Sequence, residues 1–380
     1  MGVLLHHFYP IRKEGYSPVI LLLILAHVVI IAYLVMKLYP PLGARANFLE
    51  RIKLDSSVNR QSGKFVYPLP TPMNIPLGAM LKIMGEMIKG SPNRKPRGVV
   101  PMDRLDLRQL KARQPQAIWF GHSAFLLQLG GLTLLLDPMF GKAPSPFPFI
   151  GGKRYGGKLP FEIDELPEID AVILSHDHYD HLDYGSIRKL RGKVKKFIVP
   201  LGVGAHLVRW GIARGRIIEA DWWDELTYEG LKLACTPARH FSGRSVGDRY
   251  ATLWCSWVIE SAEARIYFSG DSGYGPHFKQ IGEKYGPFDL TLMECGQYDT
   301  RWHLIHMLPE ETVQAHQEVG GKLLLPIHWG AFTLALHDWT DPIERALKAA
   351  AERGVSVTTP RIGQPVTIGG ANVPSESWWK

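Results

Sequence analysis

Seven residues constrain this 380-residue chain more than any other stretch. Ser175-His176-Asp177-His178-Tyr179-Asp180-His181 sets three imidazoles and two carboxylates within one short segment. Burying such groups unpaired is costly, so a fold gains little from crowding them unless they hold something. Neutral imidazole and carboxylate are the donor set for zinc, and also for iron or manganese. The segment follows Asp170-Ala171-Val172-Ile173-Leu174, an apolar, β-branched run that reads as a buried strand. A helix would turn His176 and His178 to different faces. A tight loop at the carboxyl end of that strand is therefore the expected carrier, rigid behind and open to a cleft in front.

Such a motif needs further ligands from elsewhere in the chain. Three candidates each stand just past an apolar run: His240 after residues 231–237, Asp271 after 264–270, and His328 after 323–327. Gly270 permits a sharp turn immediately before Asp271. Taken singly, a His at a strand end is more often a satisfied surface or core residue than a ligand. The repeated order of strand, then donor, makes these a set. Arg239 and Arg244 flank His240, and Arg244 is the candidate to receive a substrate phosphate, with a structural salt bridge as the alternative. His122, after Gly121, is a candidate to orient a ligand from behind.

On these residues the chain resembles the metallo-β-lactamase superfamily, whose signature is His-x-His-x-Asp-His followed by a distant His, Asp and His. The likeness covers about residues 115–355. Within the superfamily it is most similar to the N-acylphosphatidylethanolamine-hydrolysing phospholipase D branch. That likeness rests on Gly121-His122-Ser123, the 238–244 segment around His240, Gly270-Asp271-Ser272-Gly273-Tyr274, Tyr298 to Trp302, His306 with Pro309-Glu310-Glu311, and Ile327-His328-Trp329-Gly330. Phe241 stands where the animal enzymes carry Trp, and Ser272 where they carry Thr. The resemblance implies two divalent metal ions, expected to be zinc. His176, His178 and His240 would hold the first, Asp180, His181 and His328 the second, and Asp271 would bridge both. It also places His306 at the site as a substrate contact or proton donor, so that Asp180, Asp271 and His306 are the expected catalytic residues. The implied fold is α/β: an αββα four-layer sandwich.

Val19 to Met36 is an unbroken apolar run with only His27 and Tyr33 as mildly polar members. Its length is near the lower limit for a bilayer core of about 30 Å, and a buried core helix is the poorer reading because no polar face interrupts the run. A transmembrane anchor over residues 1–40 is expected, with a cleaved signal peptide as its rival. Arg12 and Lys13 before the run, against Lys37, Arg45, Arg51 and Lys53 after it, place the catalytic domain in the cytoplasm by the positive-inside rule. Residues 41–114 read as a Pro-rich, basic linker with docked pieces, and 115–380 as the catalytic domain. Within the linker, 76–89 reads as a short amphipathic helix, with Leu77, Met80, Leu81, Met84 and Ile88 on one side, that packs on the catalytic domain or dips into a membrane surface.

Basic residues exceed acidic ones, 44 against 36, which suits an anionic partner. No added nucleic-acid domain or basic run with interleaved aromatics is present, so the expected partner is a phospholipid membrane, not nucleic acid. The Trp222-Trp223 and Trp378-Trp379 pairs read either as membrane-interface anchors or as the packing of a homodimer. Three sparse cysteines form no framework, and Cys235 and Cys255, in strand-like apolar runs, read as buried thiols. The leading expectation is a phospholipase D-type phosphodiesterase acting on N-acylphosphatidylethanolamine. The alternatives are a hydrolase of a lactone, cyclic nucleotide or sugar phosphate, or a nuclease. Gly130-Gly131 marks a hairpin, and Asp341-Pro342-Ile343-Glu344 marks a helix start with Asp341 as cap.

Overall fold

A computed structural model describes residues 18–72, 75–106, 110 and 114–380. Arg12 and Lys13 lie outside the described residues. The chain divides between Tyr39 and Pro40 into two compact units. The first carries α1 (Pro18–Leu38), none of whose side chains is buried. With a mean hydropathy of 3.0, it is the one helix among the described residues long and apolar enough to cross a membrane.

The second unit opens with α2 (Phe48–Asp55), the small hairpin β1 (Arg60–Gln61) and β2 (Lys64–Phe65), and α3 (Leu77–Lys89). The first large sheet follows: β3 (Gln116–Trp119), β4 (Phe125–Leu129), β5 (Leu132–Leu136), β6 (Ile169–Ile173), α4 (Tyr184–Leu190), β7 (Val194–Pro200), α5 (Gly204–Arg209) and β8 (Ile217–Ala220). The second comprises β9 (Glu225–Tyr228), β10 (Leu231–Thr236), β11 (Ser256–Glu260), β12 (Arg265–Phe268), α6 (His277–Tyr285), β13 (Leu290–Glu294), α7 (Pro309–Val319) and β14 (Leu324–Ile327). Then α8 (Asp341–Arg353) leads to β15 (Pro365–Thr367), which returns to the first sheet. The strand orders are β15-β3-β4-β5-β6-β7-β8 and β14-β13-β12-β11-β10-β9.

Three apolar clusters show the layering, because alternate residues of a strand face opposite sides of its sheet. Ala117, Phe125, Leu134 and Ile173 of the first sheet share a core with Leu233, Trp257, Phe268 and Ile327 of the second. The intervening residues of the first sheet, Ile118, Leu126, Leu135 and Val172, pack with Ile187 and Leu190 of α4 and Leu207 of α5. Those of the second, Val258, Tyr267 and Met293, pack with Phe278 of α6, Val313 of α7 and Ala350 of α8. Helix, sheet, sheet, helix is the αββα order.

The Gly130-Gly131 turn has both residues at positive φ, 59° and 76°, as a two-residue hairpin requires, and pairs Leu129 with Leu132. Two expectations need correction. Thr340, not Asp341, is the cap of α8; Asp341 is its first residue, and its carboxylate accepts from the Tyr298 hydroxyl. The Trp pairs are core pieces: the Trp222 indole donates to the Trp254 carbonyl at 2.6 Å, and Trp378 stacks on Trp329 at 5.2 Å. Trp222 is buried against Tyr67 and Trp254, and Trp379, in the carboxyl-terminal tail, is buried against Trp329.

Candidate metal centre

Every expected ligand stands at the carboxyl end of a strand. His176, His178, Asp180 and His181 follow β6, His240 follows β10, Asp271 follows β12, and His328 follows β14. Within the second sheet β12, β13 and β14 are mutually parallel, and β10 joins them in direction through two antiparallel pairings. Within the first sheet β5 and β6 are parallel. Like strand ends therefore meet at one place. Gly270 makes the turn to Asp271: its φ is +55°, and a Cβ there would sit 2.7 Å from the Ser175 Cβ.

The donors form two trios around one carboxylate. Nε2 of His176 lies 3.0 Å from Nδ1 of His178, which lies 3.2 Å from Nε2 of His240. Oδ2 of Asp271 stands 3.8 and 3.7 Å from the His176 and His240 nitrogens. Nε2 of His181 and Nε2 of His328 are 3.5 and 3.3 Å from Oδ2 of Asp180. Both also face Oδ2 of Asp271, at 3.1 and 3.2 Å. Four donors about 2 Å from a tetrahedral ion stand roughly 3.3 Å apart, so this spacing suits metal ligation. Nε2 of His181 and Oδ1 of Asp271 are buried without a hydrogen-bond partner, as open ligand atoms would be.

The electrostatics agree. Burial, reinforced by neighbouring imidazoles, holds His176 well below the ordinary imidazole range; burial also lowers His178 and His240, leaving their lone pairs free. Burial opposes charge on Asp180 and Asp271 too, but the imidazoles of His181 and His328 outweigh it and hold both carboxylates well below their usual range. In return His328 rises to about 10: burial works against its proton, and Asp271, Asp180 and Glu294 overcome it. A buried cluster with this demand for positive charge fits divalent cations.

A supporting layer was only partly foreseen. His122 donates from Nε2 to Asp180 at 2.8 Å, the orienting role expected of it. Asp137, just past β5, accepts from the Ser175 amide at 2.7 Å and contacts Nδ1 of His181 at 2.6 Å. Glu294, like Asp137 not foreseen, ends β13 fully buried; it contacts Nδ1 of His306 at 2.8 Å and accepts from the Met307 amide at 2.9 Å. Each is an acid closing an apolar run, the same grammar as the ligands. Asp177 accepts from the Gly243 amide at 2.8 Å and the Thr252 hydroxyl at 2.9 Å, bracing the loop from behind. His122, Asp137, Gln297 and His328 all hold positive φ, so backbone strain gathers here.

His306 is brought to the cluster, its ring 5.0 Å from His240 and stacked 5.1 Å from His328. Arg244 is not available as a phosphate ligand. Its guanidinium is buried and donates to the carbonyls of Asp177, Leu182 and Pro41 at 2.5–3.1 Å, where it ties down the chain entering the unit. Arg239 likewise donates to Thr71, Tyr274 and Pro70 at 3.0–3.1 Å.

With this fold and these donors, the molecule is a hydrolase of the metallo-β-lactamase fold, a family that implies divalent metal binding. The chain belongs to that superfamily: the family model described as "Beta-lactamase superfamily domain" matches residues 133–329. An uncharacterised protein of Mycobacterium tuberculosis is 40% identical over 344 residues, covering 89% of this chain and 91% of its own. N-acyl-phosphatidylethanolamine-hydrolyzing phospholipase D 1 of Caenorhabditis elegans is 34% identical over 236 residues, covering 59% of this chain and 66% of its own. Among solved structures, a metallo hydrolase of Ignicoccus hospitalis superposes with a TM-score of 0.52 at 22% identity, covering 67% of this chain and 97% of its own; this supports the fold.

Proposed function

We propose that the protein is a membrane-anchored, dinuclear phosphodiesterase of phospholipase D type, with its catalytic unit in the cytoplasm. Its substrate in this reading is N-acylphosphatidylethanolamine, cleaved to N-acylethanolamine and phosphatidic acid. The observation that carries it is the double trio around Asp271, with donors spaced for two ions. The lipid assignment draws on the nematode relative's name and on the apolar helix α1.

His176, His178 and His240 would hold one ion, Asp180, His181 and His328 the other, and Asp271 both, with zinc the ion that this nitrogen-rich set suits. Ions bound there would act as Lewis acids on the phosphoryl oxygens and acidify water. Asp271 sets the separation of the two trios. Glu294 orients His306, and the free Nε2 edge of that ring is the candidate proton donor to the departing head-group oxygen. Phe241, half-buried with its ring 4.4 Å from His178, sets an apolar surface against the first trio.

The test uses the detergent-solubilised full chain, analysed for metal and incubated with N-acylphosphatidylethanolamine and with a soluble bis-aryl phosphodiester. Release of N-acylethanolamine that is lost in Asp271→Asn supports the reading. Cleavage of the soluble ester alone removes the lipid claim. Failure to cleave either with both sites loaded points to another ester class.

A further inference from the structure

Two helices of the second unit carry their apolar faces outward. On α3, Leu77, Met80, Leu81, Met84 and Ile88 recur at three- and four-residue steps, which places them on one face. Every one is 48–83% exposed. The opposite face docks. Glu86 accepts from Arg301 at 3.0 Å, and its carbonyl accepts from Arg94 at 2.7 Å, with half-buried Ala79 and Ile83 beside it. On α2, Phe48, Leu49 and Ile52 are 55–74% exposed while Leu54 is buried. Past its end, Ser57 and Asn59 anchor the chain to Asp221 at 2.5 and 2.9 Å. A surface helix ordinarily turns its apolar stripe to the core and its polar side to water. Here the polar contacts hold the helix down and the apolar stripe is left outside, twice, on helices more than twenty residues apart.

We infer that the outward faces of α2 and α3 are a lipid-contacting surface, and that they seat the second unit on the membrane interface beside the mouth of the metal centre. Charge favours lipid as the occupant. The single acid of α3, Glu86, is paired with Arg301, whereas Lys82 and Lys89 of the same helix are exposed; on α2, Glu50 and Asp55 balance Arg51 and Lys53, and Lys53 reaches Glu219 at 3.7 Å, so the cationic flank lies on α3. Cations flanking an apolar stripe suit an interface with anionic head groups. The chain also carries a helix apolar enough to cross a membrane, so a bilayer is a partner at hand. Both surfaces bear on loops of the site. Arg301, which pairs with α3, lies in the segment leading to His306. Arg45, which precedes α2, donates to the Val246 carbonyl at 3.2 Å, in the loop that follows His240. The inference deepens the proposed function by adding how a lipid substrate reaches the site, and its link to catalysis rests on that reading.

The test labels the full chain. Cys235, Cys255 and Cys295 are buried, so a single introduced cysteine takes the label. Leu81→Cys and Phe48→Cys, with Lys279→Cys on the exposed side of α6 as control, carry an environment-sensitive fluorophore in nanodiscs of phosphatidylcholine and phosphatidylglycerol. Nitroxide on the lipid acyl chains is expected to quench the Leu81 and Phe48 labels several-fold more than the Lys279 label. Equal quenching at all three overturns the inference. So does protection that depends on two copies per disc, which would assign the faces to a second copy of the chain. For Leu81→Glu/Met84→Glu, KM for vesicle-borne substrate is expected to rise about tenfold while turnover of the soluble diester is unchanged. If the native chain cleaves no phosphodiester, the proposed function fails, and the quenching pattern still decides the lipid contact.

Discussion

The metal centre and the amino-terminal helices of the second unit depart from ordinary protein surfaces in opposite directions. At the strand ends, Asp180, Asp271, Glu294 and a group of imidazoles lie largely or wholly out of water. On α2 and α3, large apolar side chains stand in the open although polar contacts hold the helices in place. Buried charge is expensive unless each group has a partner, and exposed apolar stripes are expensive unless something covers them. The first departure is met in part from within, by a supporting layer of Asp137, His122 and Glu294 behind the seven donors, and its open atoms, Nε2 of His181 and Oδ1 of Asp271, suit a cation. The second has no answer among the described residues of the chain. A site with internal compensation points to catalysis, and a surface without it points to a partner.

The largest expected effect separates the two regions by activity. Asp271→Asn should lower turnover of a soluble diester about a thousandfold or more, because both trios lose their shared carboxylate. Leu81→Glu should leave that turnover within about twofold, since a substitution on an exposed face disturbs little. The same pair of regions can be compared by stability. Leu134→Glu, in the fully buried face of β5, should cost about 4 kcal/mol or more in urea unfolding, whereas Leu81→Glu should stay within about 0.5 kcal/mol.

Stripping the metal sharpens the electrostatic half of the comparison. Removal of a ligand present at a hundred times its dissociation constant costs about 3 kcal/mol of stability. Dialysis against a chelator should therefore lower Tm, and Asp271→Asn should blunt that drop. An unchanged Tm would mean that the cluster is satisfied without ions. Glu294→Gln and Asp137→Asn should each lower activity or metal affinity about 10–100-fold, read by metal titration alongside turnover.

The smallest expected effect concerns acid. Burial lowers His316 to about 4, from the ordinary imidazole value, while its Nδ1 contacts the Thr291 hydroxyl at 2.7 Å. The unfolded chain takes up this proton below its own pKa and the native state does not, until the folded pKa is reached. His316 thus contributes nothing to pH dependence near pH 8, and stability is lost as pH falls through 6.5 toward 4. The loss approaches tenfold in the folding constant per pH unit across that window. His316→Gln should flatten the slope of the urea midpoint between pH 7 and pH 5, and an unchanged slope would place the acid sensitivity elsewhere.

Much of the centre was legible because its ligands obey local rules. The motif after β6, and His240, Asp271 and His328 after their strands, were readable from apolar runs ending in donor residues, and Gly270 from the turn it permits. Asp137 and Glu294 follow the same pattern but were passed over. A single acid at a strand end is common, and only its distance to His181 or His306 gives it a role. Arg244 went the other way. Its place beside His240 suggested a phosphate contact, yet its guanidinium is consumed by three carbonyls from distant parts of the chain. The Trp pairs read as membrane anchors or dimer packing for a like reason: adjacency in sequence says nothing of which layer a ring enters.

By itself, then, the sequence determined the apolar strands that end in donors, the donor set and the superfamily, because periodicity, strand ends and ligand chemistry are written in neighbouring residues. It also showed that 76–89 is amphipathic. Only the tertiary structure decided which acids and arginines serve the centre, since that depends on contacts between residues far apart in the chain. It alone decided that α3 faces its apolar side outward. A helix carries its stripe in its sequence, but the direction of that stripe is set by where its polar side finds hydrogen bonds, here at Arg301 and Arg94.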